Sequence, residues 1–150
     1  MGRRARMGSA HVGAVVERVT NVLSEETVQS ALDSYLRAID SLDADAFADC
    51  FAADGVSYDP VGAPPHEGRE ALRQFAQGLF AATDRLSFNL DYKSIHGNSA
   101  AMKWTGHLAA KSGRSVTFEG IDVVEVDDAR KIRLLKAYWN PGPVLAALQG

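Results

Sequence analysis

The sequence lacks the features that mark several specialised protein classes. It contains one cysteine, Cys50, in a segment of apolar helical pattern, which excludes an internal disulfide framework. It has no apolar run long enough to span a membrane, and the segment after the first residues carries Glu17 and Arg18, unlike the uninterrupted apolar stretch of a secretory signal. We therefore expect a protein without a membrane partner, in a reduced, cytoplasmic setting.

Motifs for nucleic acids, nucleotides and metals are lacking as well. The net charge is −3 and the basic residues form no long run, so no nucleic-acid partner is expected. No Gly-x-Gly-x-x-Gly or P-loop motif follows a predicted strand, and the Gly-x-Ser-x-Gly motif of serine nucleophiles is absent. No pair of histidines has the spacing of zinc ligands. The four histidines are His11, His66, His96 and His107.

A length of 150 residues suits one domain with a core and an internal pocket. Residues 1–23 are predicted to be a tail or arm, and residues 24–150 to be the single domain. Apolar residues at helical spacing predict three helices in the first half of that domain. Ser24 and Asp43 are the predicted N-caps of the first two helices, and the third runs from about Arg69 to Ala82.

The second half of the chain has the pattern of strands. A short strand from Val56 to Asp59 is predicted after a turn at Asp54-Gly55, and from Asp84 onward apolar and polar residues alternate. One face of the first alternating strand comprises Leu86, Phe88, Leu90 and Tyr92. The last predicted strand runs from Ile132 to Trp139 and is ended by the Pro-rich segment Asn140-Pro141-Gly142-Pro143. Helices followed by hairpin-connected strands predict an α+β fold, in which a curved antiparallel-rich sheet forms a cone packed against the three helices.

Asp122 is the single charged residue on one face of a predicted strand. Alternate residues of a strand share a face, and the other members of this face are apolar or glycine. They are Val116, Phe118, Gly120, Val124 and Val126. A carboxyl group buried there would tend to keep its proton, and a neutral acid is a donor that can stabilise an oxyanion. The opposite register, with Ile121 and Val123 in the core and Asp122 in water, stays open on parity alone.

Two further side chains are candidates for proton chemistry. Asp59 precedes Pro60, which favours an extended backbone and suits a fixed general base at the mouth of the cone, although an isolated Asp-Pro pair is more simply explained as a turn. Tyr35 lies on the apolar stripe of the first helix, either as a core tyrosine or as a hydroxyl donor in the same cavity. Five more side chains either wall a flat apolar ligand site or belong to the core. They are Phe88, Met102, Trp104, Phe118 and Trp139.

One residue and four short segments of the chain are informative because of their order and separation. They are Tyr35, Tyr58-Asp59-Pro60-Val61-Gly62-Ala63-Pro64-Pro65, Gly68-Arg69-Glu70, Ile121-Asp122-Val123 and Ala137-Tyr138-Trp139. This ordered set resembles the bacterial ketosteroid (steroid Δ5-3-) isomerases of the nuclear-transport-factor-2-like superfamily, over about residues 24–140. The resemblance implies a cofactor-independent isomerase that shifts a C=C bond into conjugation with a ketone of a small, apolar, polycyclic substrate of steroid type.

The resemblance also implies a role for each candidate residue. Asp59 corresponds to the general base, which takes a proton from the carbon next to the ketone and returns it two carbons along. Tyr35 corresponds to the tyrosine that donates to the dienolate oxygen. Asp122 corresponds to the protonated aspartate beside it, and ketosteroid isomerase is itself the standard example of an acid kept neutral by an apolar site. Trp139 corresponds to an aromatic residue of the steroid pocket, and Val61 is expected at the same ligand site.

Two positions depart from the isomerase pattern. A tyrosine that supports the oxyanion tyrosine in the isomerases is Ala76 here, and another position of that network is Phe51. Tyr35 therefore lacks its usual hydrogen-bonded support, which leaves the substrate more open than the proton chemistry. The family is also a homodimer joined through the outer sheet faces, and Ile121 and Val123 suit such a contact if Asp122 points inward.

Two other functions stay open at this point. The missing tyrosine suits a cyclase, dehydratase or epoxide-opening enzyme of polyketide or terpenoid tailoring, since such relatives also place an Asp base and an Asp or Tyr acid in the cone. A non-catalytic binding or dimerisation module is the third function, because a fold alone does not fix what a protein does. If the protein is such a module, Asp122 should titrate as an ordinary exposed carboxylate.

Overall fold

The computed structural model describes residues 24–150, and the predicted tail or arm of residues 1–23 lies outside the described residues. The helices of the described part are α1 (Glu25–Asp40), α2 (Ala44–Asp49), α3 (Arg69–Ala81) and α4 (Gly142–Gln149). Its strands are β1 (Phe51–Tyr58), β2 (His66–Glu67), β3 (Thr83–His96), β4 (Ser99–Ala110), β5 (Ser115–Val126) and β6 (Ile132–Trp139). Over this range, no helix is both long and apolar enough to cross a bilayer.

The first two helices begin at the predicted caps. The Ser24 side chain accepts a hydrogen bond from the Thr27 N–H, and Asp43 accepts one from the Ala46 N–H, so each satisfies a backbone donor that the helix cannot. The apolar stripe of α1 faces the sheet, and its buried members are Val28, Ala31, Leu32, Tyr35, Ala38 and Ile39. The spacing that predicted this helix therefore also identified the face that packs.

The six strands form one open, mixed sheet in the order β2-β1-β6-β5-β4-β3. Neighbouring strands are antiparallel except β1 and β6, which run parallel. The α+β class and the antiparallel-rich sheet packed against the three helices of the first half are confirmed. The parallel pair matters for the site, because it brings the C-terminal ends of β1 and β6 side by side.

The predicted turn at Asp54-Gly55 is wrong, because both residues lie inside β1, which begins at Phe51. The pairing of β1 with β6 shifts register between Phe51 and Val56, so the strand is irregular here rather than interrupted. A Cβ atom on Gly55 would lie 2.9 Å from the Ile132 carbonyl oxygen of the neighbouring strand. Glycine thus permits close backbone approach at a bulge, which a sequence pattern does not distinguish from a turn.

The predicted inner face of β3 is wrong at Tyr92. The register with β4 shifts between Leu90, which pairs with Trp104, and Tyr92, which pairs with Lys103. One extra residue in β3 turns every later side chain to the opposite face. Tyr92 is consequently 69% exposed on the outer side of the sheet.

The C-terminal helix α4 follows the Pro-rich segment that was predicted only to end β6. Pro143 stands in its first turn, where the missing N–H of proline costs no helical hydrogen bond. Val144 and Ala147 are buried, and the Ser112 hydroxyl in the β4–β5 turn donates to the Ala147 carbonyl at 2.7 Å. The helix is therefore part of the packed domain, and Val144 contributes to the wall of its cavity.

Candidate active site

One cavity of about 60 Å³ lies between the helices and the inner face of the sheet. Five of the six predicted wall residues line it, namely Phe88, Met102, Trp104, Phe118 and Trp139. Its titratable wall groups in the described part of the chain are Tyr35, Asp59 and Asp122. The three candidates for proton chemistry therefore share one enclosed apolar space.

Val61 does not belong to this wall. Its side chain is 40% exposed, and its backbone N–H donates to the Ala137 carbonyl at 2.8 Å. That bond ties the loop after Asp59 to β6, while the side chain of Val61 stays at the surface. The prediction that Val61 contacts the ligand is therefore not supported by its position.

Asp122 points into the interior, as one of the two parity alternatives required. It is 5% exposed and lies on β5 between Met102 of β4 and Ala137 of β6. Its Oδ1 accepts a hydrogen bond of 2.9 Å from the Trp104 indole N–H. The pKa of Asp122 is raised from 3.8 to about 7, because burial and, to a smaller extent, the negative charge of Asp59 raise it more than the indole donor lowers it.

Asp59 follows the last residue of β1, at the edge of the same cavity. Its Oδ1 accepts a hydrogen bond of 2.6 Å from the indole N–H of Trp139, the last residue of the parallel strand β6. Burial raises the pKa of Asp59 from 3.8 to about 6, and the indole donor opposes that rise. Both carboxyl groups therefore ionise at a higher pH than they would in water.

Tyr35 is the third polar group, brought in by the buried stripe of α1 and 5% exposed. Burial raises the pKa of its phenol well above 10, and the negative charges of Asp122 and Asp59 add to that rise. The hydroxyl therefore stays a donor at neutral pH. Aromatic packing holds the ring, with the ring centroids of Phe47 and Phe51 at 5.5 and 6.3 Å. Ala76, buried in the same wall, supplies no hydroxyl partner.

The two tryptophans have a role that the sequence did not reveal. Trp104 and Trp139 were predicted as apolar walls, yet each donates its indole N–H to one of the cavity carboxyl groups. The only sequence signal is positional, because Trp104 pairs across the sheet with Gly120, two residues before Asp122. Reading that signal requires the strand register, which the sequence pattern does not fix to one residue.

The wall offers little to a charged ligand. Among residues 24–150, no group of three His, Cys, Asp or Glu side chains is arranged to hold a metal ion. The wall residues of that range also include no Lys, Arg or His that would balance a phosphate or carboxylate. The cavity therefore suits an uncharged, largely apolar molecule that carries a few polar atoms.

Comparison with known proteins places these features in context. The family profile of the SnoaL-like domain matches residues 32–134. A steroid Delta-isomerase of Nocardioides simplex is 29% identical over 119 residues, which cover 79% of this chain and 94% of the relative.

Two solved structures share the fold. One is the epoxide hydrolase/cyclase-like enzyme SalBIII, described for its role in pyran ring formation in the polyether salinomycin, with a TM-score of 0.71 and 22% identity over 80% of this chain and 95% of that one. The other is RV0760c from Mycobacterium tuberculosis, also with a TM-score of 0.71 and 22% identity, over 81% of this chain and 96% of that one.

The raised pKa of Asp122 predicts a pH-dependent stability that Asp122→Asn removes. A folded-state pKa of about 7 means that Asp122 favours folding fully below its unfolded pKa of 3.8 and loses that contribution as the pH rises through 7. One pKa unit is worth about 1.4 kcal/mol. Raising the pH from 4 to 8 should therefore increase the free energy of unfolding of the variant, relative to that of the wild type, by up to about 4 kcal/mol. Urea unfolding of both proteins at these two pH values measures the difference, and an equal difference at both would contradict the burial of an ionisable Asp122.

Proposed function

The chain belongs to the SnoaL-like domain family, and we propose that it is a cofactor-independent isomerase that moves a C=C bond into conjugation with a ketone in a steroid-like substrate. In this proposal Asp59 is the general base, and Tyr35 and protonated Asp122 are the two donors to the oxyanion. The steroid Delta-isomerase of Nocardioides simplex, which aligns along most of the chain, supports this choice among the reactions that the fold accommodates.

The observation that carries the proposal is the placement of two carboxyl groups and one phenol in the wall of a single apolar cavity. Proton transfer between carbon atoms needs an ionised base near the operating pH, and an enolate needs donors that remain protonated there. The pKa of about 6 for Asp59 and about 7 for Asp122 meet both needs in a window near neutrality. A phenol whose pKa is raised by burial meets the second need at any physiological pH.

The proposed reaction moves one proton and leaves no net product besides the isomer. The Asp59 carboxylate takes a proton from the carbon between the ketone and the C=C bond, and the C–H electrons form a dienolate. Tyr35 and Asp122 donate hydrogen bonds to the dienolate oxygen, where the negative charge collects. Asp59 then returns the proton two carbons along, which restores the ketone in conjugation with the shifted C=C bond.

An absorbance assay with a β,γ-unsaturated 3-ketosteroid tests this proposal. We expect the conjugated enone to appear with the wild-type protein, and Asp59→Asn to lower kcat by about 10²–10⁴-fold because the base is lost. Tyr35→Phe should lower kcat by about 10²–10³-fold, since one of the two oxyanion donors is removed.

Matched substitutions outside the cavity control for general effects on the protein. Tyr92→Phe removes a hydroxyl on the outer side of the sheet, and Asp54→Asn removes an exposed carboxylate, so both should retain wild-type kcat. A wild-type protein without isomerase activity, or an Asp59→Asn variant with undiminished activity, would reject the proposal.

The pH profile of the same assay is a second, independent prediction. The value of kcat/KM should rise with pH as Asp59 ionises near pH 6 and fall as Asp122 loses its proton near pH 7, which gives a narrow bell. Because the two groups interact, the measured limbs belong to the pair. Asp122→Asn should remove the alkaline limb and keep the acidic one, at a lower maximum. A wild-type profile that stays flat from pH 7 to 9 would contradict the role of protonated Asp122.

The same pair of acids favours one second candidate, an epoxide-opening cyclase. An ionised Asp59 can take the proton of a substrate hydroxyl as its oxygen attacks an epoxide carbon, while Asp122 gives its proton to the epoxide oxygen as the C–O bond breaks. Ala76 favours this candidate, because it leaves Tyr35 without a hydroxyl partner on that side of the wall, and an epoxide opening makes less use of a second oxyanion donor. SalBIII supports it through the shared fold alone.

A hydroxy-epoxide substrate of polyether type separates the two candidates. If the protein is a cyclase, it should convert this substrate to a cyclic ether of the same mass and a different chromatographic retention time. Tyr35→Phe should then lower kcat by less than tenfold, and Asp122→Asn should lower it by about 10²-fold or more. If the protein is an isomerase, it should not convert the epoxide, and both variants should show a large loss of kcat in the steroid assay. Conversion of the epoxide by Asp59→Asn at the wild-type rate would exclude the cyclase mechanism.

A further inference from the structure

Trp104 reaches Asp122 diagonally across two strands. In the antiparallel pair of β4 and β5, Trp104 lies opposite Gly120, and Asp122 lies opposite Met102. Trp104 and Asp122 therefore share the inner face at diagonal positions, a separation that a long aromatic side chain can span. The indole does span it, because its Nε1 lies 2.9 Å from Asp122 Oδ1.

Gly120 provides the space for this arrangement. A Cβ atom at Gly120 would lie 2.5 Å from Cζ2 and 2.9 Å from Cη2 of the Trp104 ring, and 2.7 Å from the Tyr138 carbonyl oxygen. Distances below 3.0 Å are too short for a methyl group, so a side chain here requires the indole or the neighbouring strand to move. The indole therefore occupies the position where any other residue would carry a side chain.

Two further rings restrict the orientation of the indole. Phe88 contacts it edge to face at a centroid distance of 4.8 Å, and Phe118 does so at 5.4 Å. Trp104 is itself buried. Together with Gly120, these rings leave the N–H group of Trp104 aimed at one oxygen of Asp122.

We infer that Trp104 is a positioning residue for Asp122. The indole N–H of Trp104 donates to Asp122 Oδ1, so that the acid proton lies on Oδ2 and can be donated to the ligand. An indole N–H can only donate, so Oδ1 must act as an acceptor. In a neutral carboxyl group the better acceptor is the oxygen without the proton, which assigns the proton to Oδ2. This inference rests on the proposed function for its catalytic meaning, although the hydrogen bond and its effect on Asp122 exist without any substrate.

The surroundings of Asp122 make this effect measurable. Within the described cavity wall, the other titratable groups are Asp59 from the end of β1 and Tyr35 from α1, and no cationic side chain is present. The indole donor is the one neighbour that favours the ionised form of Asp122, since burial and the charge of Asp59 both oppose it. Its removal should therefore make the acid weaker.

The experiment is an NMR titration of the ligand-free protein, with the Asp carboxyl carbons labelled with ¹³C. Trp104→Phe should raise the pKa of Asp122 by roughly 1–2, as expected for the loss of one hydrogen bond to a charged group. Gly120→Ala should act in the same direction because it displaces the indole. Trp139→Phe is the matched control, since it removes the donor to Asp59 and should raise the pKa of Asp59 with a smaller change at Asp122.

A measurement on the unmodified protein keeps the inference testable if a variant fails to fold. The chain has two tryptophans, so a ¹⁵N spectrum shows two indole N–H signals, and Trp139→Phe identifies them. The Trp104 signal should titrate with the same midpoint as the Asp122 carboxyl carbon. A Trp104 signal that is constant across that midpoint, or an unchanged Asp122 pKa in a folded Trp104→Phe variant, would overturn the inference.

Activity separates the failure of this inference from failure of the proposed function. If the protein is an isomerase, Trp104→Phe should lower kcat at least tenfold with little change in KM, because the loss concerns the orientation of a donor rather than ligand contact. If no isomerase activity is found, the proposed function fails while the titrations still decide whether Trp104 positions Asp122. An active protein whose Trp104→Phe variant keeps wild-type kcat and an unchanged Asp122 pKa would reject the positioning role alone.

Discussion

Two carboxyl groups share one apolar cavity, and they cannot both be ionised at little cost. Burial raises the pKa of each, and the charge of Asp59 raises the pKa of Asp122 further. The two groups therefore titrate as a coupled pair, in which ionisation of one carboxyl group opposes ionisation of the other. Asp122 lies on β5 and is 5% exposed, whereas Asp59 follows the end of β1 and is half-buried. One arrangement of strands thus gives two side chains of the same type different surroundings.

The sheet also gives each acid one indole donor, by two different pairings. The parallel pair of β1 and β6 ends with Asp59 and Trp139 side by side, and the antiparallel pair of β4 and β5 brings Trp104 to Asp122. Each hydrogen bond opposes the rise in pKa that burial causes. For proton transfer near neutrality, a base of moderate pKa is more useful than a permanently neutral acid.

The sequence predicts the parts of this site that depend on periodicity. Strand parity gave a buried Asp122 as one of two alternatives, and helical spacing placed Tyr35 on the apolar stripe of α1, because each depends on a local repeat. Features that depend on register were not predicted. The bulges at Gly55 and near Tyr92 add a residue without changing composition, and the contact of Trp104 with Asp122 depends on pairing across two strands. Helix α4 was missed because its prolines indicate the end of β6 as readily as the start of a helix. The residue roles and the homodimer stay predictions. Ile121 and Val123, which the resemblance places at the dimer contact, are exposed on the outer face, at 46% and 38%.

The departures at Ala76 and Phe51 change where the site is rigid. A hydroxyl partner would have fixed the Tyr35 phenol through a hydrogen bond, whereas here the rings of Phe47 and Phe51 hold it by packing. Packing fixes the plane of a ring but leaves the O–H free to rotate about its C–O bond, so the phenol can follow oxygen atoms in slightly different positions. Asp122 has the opposite character, because the indole of Trp104 and the absence of a side chain at Gly120 fix one of its oxygens. In the proposed chemistry, the acid therefore defines where the reacting oxygen must lie, and the phenol adapts to it.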